Sequence, residues 1–250
     1  CNLFYQSDVL EHAELHLVLS MITPLSWLTR VPSYKGKMAE LKEKDLNTYG
    51  FLGYPVLQAA DILLYKGDIV PVGVDQMPHI ELTREIARRF NHFFGDVFPE
   101  PGGQLTNCPA LPGLDGRNMS KSYKNSIPIS LEADQMSSLV MKMFTDPSRL
   151  RRHDPGNPEI CPVFAYHKIY NNVVRQEDIK TSCKSAEIGC VDCKKEFASL
   201  LVDSMSDFRE KRKQLENNLD QVELLLKSGA RKAAEVAAQT ISEVKEKIGL

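Results

Sequence analysis

Apolar side chains recur at helical spacing near the start of the chain, where Val9, Leu10, Ala13, Leu17 and Met21 form a stripe that predicts an amphipathic helix to about Ile22. Asp8 and Glu11 have capping-box spacing at its start, Thr23-Pro24 ends it, and Leu3-Phe4-Tyr5 ahead of it reads as a short buried strand. His12 and His16 lie four apart on that helix without a third ligand, so they are expected at the surface or the core edge. Residues 35–44 are polar and read as exposed. A second helical pattern, Tyr54 to Tyr65, tolerates Pro55 in its first turn and sets Tyr54, Gln58 and Asp61 on one face. Asp61 precedes Ile62-Leu63-Leu64, and a carboxylate in apolar surroundings needs a partner; capping or pairing with a neighbouring arginine is the purely structural alternative to a functional role. Asp68 to Gly73 reads as a strand and Met77 to Phe90 as a helix. Gly73-Val74-Asp75-Gln76 therefore falls at the carboxyl end of a strand, where open α/β sheets bind ligands.

Beyond residue 128 the pattern is helical. Ser130 is expected to cap a helix through Met143, stopped by Thr145-Asp146-Pro147-Ser148. From Lys194 onward, Phe197, Leu200, Leu201 and Met205, then Val222, Leu225 and Leu226, then Ala233, Val236, Ala237, Ile241 and Val244 follow helical spacing. Gly229 is expected to cap the boundary between the last two helices, and the alanines at 233, 234, 237 and 238 to allow close packing. Composition adds a bound: 250 residues with 42% hydrophobic and 26% charged content suit a globular protein with a sizeable core. No apolar run approaches the roughly 18 residues that span a bilayer. A net charge of −2 leaves nucleic-acid contact to local basic patches. Cys1 opens the chain without an initiator methionine or a signal-peptide layout, which predicts a soluble, cytoplasmic chain whose earlier residues are missing.

Candidate chemistry gathers in three stretches. Pro112 to Ser126 joins glycines to small hydroxyls and cations, a loop suited to phosphate: Gly113 and Gly116 turn it, Ser120 and Ser122 donate, and Lys121 is a flexible point charge able to follow a leaving pyrophosphate. Arg149, Arg151 and Arg152 form a basic cluster that suits either a solvated surface or phosphate contacts. Four of the six cysteines, Cys161, Cys183, Cys190 and Cys193, follow the spacing Cys-x21-Cys-x6-Cys-x2-Cys, typical of thiolate sites for zinc or an iron–sulfur cluster. Cys1 and Cys108 stand outside that pattern as ordinary thiols.

Asn118-Met119-Ser120-Lys121-Ser122 resembles the KMSKS loop of class I aminoacyl-tRNA synthetases, with asparagine at the first lysine. Together with Ala59-Ala60-Asp61-Ile62-Leu63-Leu64-Tyr65 and the run from Val70 through Arg84, it resembles the bacterial-type tryptophanyl-tRNA synthetase family over essentially the whole chain. The resemblance implies an α/β fold: a Rossmann-like catalytic region at 1–128, N-terminally incomplete because the family's HIGH-type motif is absent, then a helical anticodon-binding domain at 129–250. It implies that Asp61 accepts the indole N–H of tryptophan, that Tyr54 and Gln58 line the amino-acid pocket, and that Gln76 borders it. Gly73, Val74 and Asp75 would contact the ATP ribose and Leu111 the adenine. Asn118, Met119, Ser120, Lys121 and Ser122 would close over the phosphates, with Lys121 and Mg²⁺ offsetting pyrophosphate charge. Arg149, Arg151 and Arg152 would lie beside the anticodon stem of tRNA(Trp). A subset of the family resembles the cysteine pattern too, which implies a [4Fe-4S] cluster, with Zn²⁺ the alternative. A homodimer is likewise implied. Two rival readings remain: a tyrosine-specific synthetase, and a non-catalytic, metal-braced RNA-binding fragment.

Overall fold

A computed structural model describes residues 1–31, 48–105, 111–119 and 123–250. It divides into two compact units, Cys1–Pro109 with Leu219–Leu250, and Ala110–Asn218.

In the first unit a 3-10 turn at Gln6–Asp8 leads into α1 (Glu11–Ile22), followed by α2 (Leu25–Arg30), α3 (Tyr49–Leu63), β1 (Ile69–Val72), α4 (Met77–Phe94), β2 (Gly102–Leu105) and, from the end of the chain, α10 (Leu219–Ile248). The strands pair in parallel, Ile69 opposite Gly102 and Val72 opposite Leu105, so β1, α4 and β2 form a strand–helix–strand crossover. A Cβ on Gly103 would come within 2.6 Å of the Met77 sulfur, so a larger residue there would displace the end of that side chain. α3 lies between α1 and α4, and the three share a core of Leu15, Leu19, Ala59, Leu63, Ile86 and Phe90. Phe90 meets Phe94 and Phe98 at ring separations of 5.0 and 4.9 Å. Burying each such side chain contributes about 1.5–3 kcal/mol.

Several expectations are corrected. Leu3-Phe4-Tyr5 is not in a strand, and Leu3 and Tyr5 are exposed. Asp8 belongs to the 3-10 turn and makes no capping box; α1 starts without a side-chain cap. The stripe Leu10, Ala13, Leu17 and Met21 is the outer face of α1, and the buried face carries His12, Leu15 and Leu19. Periodicity had identified the helix and chosen the wrong side, because both faces are apolar. Gly229 caps nothing: it lies inside the 30-residue α10, where a Cβ would collide with the backbone carbonyl of Leu3. Ala233 and Ala237 are buried on the face of α10 that meets α1, as their size predicts, whereas Ala238 is exposed.

The second unit contains α5 (Ala133–Met141), a 3-10 turn at Pro158–Ile160, α6 (Pro162–Tyr170), α7 (Val173–Lys184), α8 (Cys190–Ser204) and α9 (Ser206–Glu216). α8 is the hub: α5 and α6 pack on it around Met136, Val140, Val163, Tyr166, Phe197 and Leu201. The helix expected from Ser130 begins at Ala133 after Glu132, which makes no side-chain cap. Among the described residues no helix is long and apolar enough to cross a membrane. Residues 35–44 and Cys108 lie outside the described residues.

Candidate functional site

α3 presents Tyr54, Gln58 and Asp61 along one side, as the spacing predicts. Thr48 fixes its start by accepting a hydrogen bond from the Phe51 amide, and Pro55 falls in the second turn, not the first. The turn after β1 is a 3-10 segment, Val74–Gln76, preceded by Gly73 in extended conformation. It meets α3 through polar contacts. Gln58 Nε2 donates to Gln76 Oε1 at 3.5 Å, and Gln76 Nε2 donates to Asp75 Oδ2 at 2.6 Å. Tyr54 lies 3.5 Å by its hydroxyl from His79 Nε2 in the first turn of α4. Tyr54, Gln58, Asp75 and Gln76 are thus brought together from α3 and the β1–α4 turn.

Asp61 has partners, as expected, and among the described residues they are Gln6 and His12, not an arginine. Its Oδ1 accepts from Gln6 Nε2 at 2.6 Å and lies 2.7 Å from His12 Nδ1. The other nitrogen of His12, Nε2, is 2.9 Å from the Tyr65 hydroxyl. Burial, with the charges of Asp61 and Glu11, pushes the Tyr65 phenol up to about 12, so its proton stays in place. His12 is 5% exposed. His16 also faces α3, where its Nε2 lies 3.3 Å from the Tyr49 hydroxyl, and burial lowers its pKa. Gln6, His12, Tyr65 and His79 were not singled out as site residues, and only contacts across elements reveal them.

In the second unit the glycine-containing loop is held at its base. Pro112 and Asn118 form an antiparallel bridge, Gly113 N donates to Arg117 O at 2.6 Å, and Leu114 N to Asn125 O at 2.7 Å. Asp115 accepts from Asn125 Nδ2 at 2.8 Å, Arg117 N at 3.0 Å and Arg117 Nη2 at 2.7 Å. A Cβ on Gly113 would collide with the Asn125 carboxamide, and Gly116 turns at φ +83°. The hydrogen bond from Asn125, then those from Arg117, hold the Asp115 carboxyl down at about 2 against an ordinary 3.8. Its contribution is complete above about pH 4 and is lost as pH falls through 2. Leu111 packs against the unit's core and Met119 is exposed. Ser120, Lys121 and Ser122 lie outside the described residues.

Cys161, Cys183, Cys190 and Cys193 line one pocket with Pro158, Phe164, Ile179 and Ile188. Cys161 immediately precedes α6, Cys183 ends α7, and Cys190 and Cys193 occupy the first turn of α8. Burial pushes the Cys193 thiol up to about 12 and raises Cys161 and Cys183. A Cβ on Gly156 would come within 2.6 Å of Cys183 Sγ. His167 is fully buried: Asn171 Nδ2 donates to its Nδ1 at 2.7 Å, leaving Nε2–H to face Cys193 O at 3.2 Å and Cys193 Sγ at 3.3 Å. Arg149 turns inward, with Nη1 3.8 Å from Cys190 Sγ and Nη2 donating to the carbonyls of Arg152 and Ile188, both at 2.8 Å. Arg151 and Arg152 flank an open cleft beside Gly189–Asp192. Among the described residues no three His, Cys, Asp or Glu side chains converge to hold a single metal ion.

Residues 1–206 match the family described as tRNA synthetases class I (W and Y). The tryptophan–tRNA ligase of Thermotoga maritima is 49% identical over 251 residues, covering 99% of this chain and 76% of the relative. That of Aquifex aeolicus is 40% identical over 320 residues, covering 99% and 80%. Tryptophanyl-tRNA synthetase from Campylobacter jejuni, crystallised with ADP and tryptophan, superposes with a TM-score of 0.81 at 34% identity, covering 99% of this chain and 76% of that one.

The loop clasp gives a testable outcome. In Asp115→Ala at pH 7, amides from Gly113 to Asn125 exchange with solvent about tenfold faster or more, as expected when charge-assisted hydrogen bonds are lost, while α1 and α3 keep their protection. Unchanged exchange in that loop, read by hydrogen–deuterium mass spectrometry, contradicts the clasp.

Proposed function

Because the chain belongs to the class I tRNA synthetases of the tryptophan and tyrosine group, we propose that its amino-acid pocket is the side of α3 carrying Tyr54, Gln58 and Asp61. The fold is the α/β class I synthetase fold, and the activity is tryptophan–tRNA ligation. The tryptophan carboxylate attacks the α-phosphorus of ATP and pyrophosphate leaves. A ribose hydroxyl of the 3′-terminal adenosine of tRNA(Trp) then takes the aminoacyl group and AMP leaves.

The observation that carries the pocket is the arrangement at Asp61. Gln6 and His12 both address Oδ1, and among the described residues no donor reaches Oδ2, which remains to accept a ring N–H. An analogue without that donor covers Oδ2 and leaves it unpaired, so it is rejected. Tyr54, Gln58 and Gln76 border the amino-acid end, and Gly73, Val74 and Asp75 meet the ATP ribose at the carboxyl end of β1, where such sheets take ligands. Leu111 lies by the adenine. Residues Asn118, Met119, Ser120, Lys121 and Ser122 close over the phosphates, Lys121 meeting the negative charge that builds on the departing pyrophosphate. Mg²⁺, when bound with ATP, supplies further positive charge there. On this reading 1–128 is the catalytic region and 129–250 the anticodon-binding domain, acting in the cytoplasm.

The four-cysteine pocket is read as the seat of a [4Fe-4S] cluster. Cys161, Cys183, Cys190 and Cys193 would hold it: the donor set is four thiols without a carboxylate, and Arg149 adds positive charge beside two sulfurs. The cluster, when present, braces the loop to which the arginines belong. Arg151 and Arg152 then contact anticodon-stem phosphates, with Arg149 holding the loop from behind. The exposed row Leu10, Leu17 and Met21 on α1, continued by Leu25 on α2, supports a homodimer through this face.

In Asp61→Asn the amide oxygen is claimed by Gln6 and His12, which turns the NH₂ group toward the ligand, donor against donor. Tryptophan-dependent ATP–pyrophosphate exchange by the full-length protein is expected to fall about 100-fold or more in kcat/KM. Wild-type exchange driven by tyrosine in place of tryptophan, or a variant as active as wild type, contradicts the reading. For the second site, anaerobically purified protein is expected to carry about four iron and four sulfide per chain, lost in Cys193→Ser. One zinc per chain, or no metal, contradicts the cluster.

A further inference from the structure

We propose that His12 is a positioning residue that makes Asp61 selective for a ring N–H, an inference that rests on Asp61 being the amino-acid acceptor. Three contacts define the arrangement. His12 Nδ1 lies 2.7 Å from Asp61 Oδ1, His12 Nε2 lies 2.9 Å from the Tyr65 hydroxyl, and Gln6 Nε2 reaches the same Oδ1 at 2.6 Å. The His12 ring is buried and packed between aromatic neighbours, 5.4 Å from the ring of Tyr65 and 6.2 Å from that of Phe4, so it has no freedom to turn away.

The proton count fixes the roles. The Tyr65 hydroxyl keeps its proton and donates to Nε2, which leaves the proton of a neutral imidazole on Nδ1, directed at Asp61. Two donors on Oδ1 set the plane of the carboxylate. Oδ2 is then presented as an acceptor with no rotation needed when the ligand arrives. Without His12 the carboxylate loses one of its two fixed partners and can turn about χ2, so a ligand lacking the N–H is penalised less. His12 touches no reacting atom. Its effect is on which ring enters, not on the adenylation step.

The test compares tryptophan with benzothienylalanine, in which sulfur replaces the ring N–H, in ATP–pyrophosphate exchange by the full-length protein. The wild type is expected to prefer tryptophan strongly. In His12→Phe, which keeps a ring between Phe4 and Tyr65, that preference falls about tenfold or more, the scale of a lost hydrogen bond to a charged group, through KM for tryptophan and with the KM for ATP unchanged. His12→Asn, whose amide can donate to Oδ1, restores most of it. Tyr65→Phe, which releases the tautomer without removing the imidazole, gives a smaller fall and serves also where His12→Phe does not fold. Variants that keep the wild-type preference, or that lose activity equally with both amino acids, overturn the positioning role. A wild type without tryptophan-dependent exchange overturns both this inference and the pocket on which it rests.

Discussion

The proposed amino-acid pocket depends on a carboxylate held by one of its two oxygens. Asp61 sits on α3 directly before three aliphatic residues, with its carboxylate half-exposed. Gln6 and His12 hold it at Oδ1. Those partners come from the turn before α1 and from α1 itself, so the packing of α1 against α3 is also what tunes the pocket. The long α10 closes the other side of α1 with glycine and alanine, allowing the backbones to approach. The orientation of this carboxylate therefore follows from the contact between α1 and α3.

The second unit follows a comparable logic with sulfur in place of oxygen. Four thiols, one from the segment before α6, one from α7 and two from α8, face a pocket lined by aliphatic and aromatic side chains, and burial raises the pKa of three of them. His167 and Arg149 point N–H groups at the sulfurs from opposite chemistries, one neutral and buried, the other charged and tied to the loop carbonyls. Arg149 thereby links the pocket to the exposed Arg151 and Arg152.

Much of this was legible in the sequence, and the failures have physical causes. Spacing placed Tyr54, Gln58 and Asp61 on one helix face, put Gly73–Gln76 after a strand, and grouped the four cysteines. It failed where two faces of a helix were both apolar, as in α1, since periodicity shows that a face exists and not which neighbour covers it. It failed at Gly229, where glycine is needed for close approach of the Leu3 backbone to a helix and was read as a cap between two helices. The partners of Asp61 were hidden for a different reason: Gln6 and His12 are 55 and 49 residues away, and no local pattern encodes a contact made by tertiary packing. His12 looked like an idle histidine because its contacts with Asp61 and Tyr65 exist only once α1 lies on α3.

The central claim is that an Asp61 oxygen accepts the hydrogen of the tryptophan ring nitrogen. Nuclear magnetic resonance of full-length protein loaded with tryptophan carrying nitrogen-15 in the indole ring reads that hydrogen directly. The bound ring proton is expected well downfield of its position in free tryptophan and protected from exchange with water, as a charge-assisted hydrogen bond in a desolvated site requires. A bound ring proton that stays at the free position and exchanges freely would contradict the account.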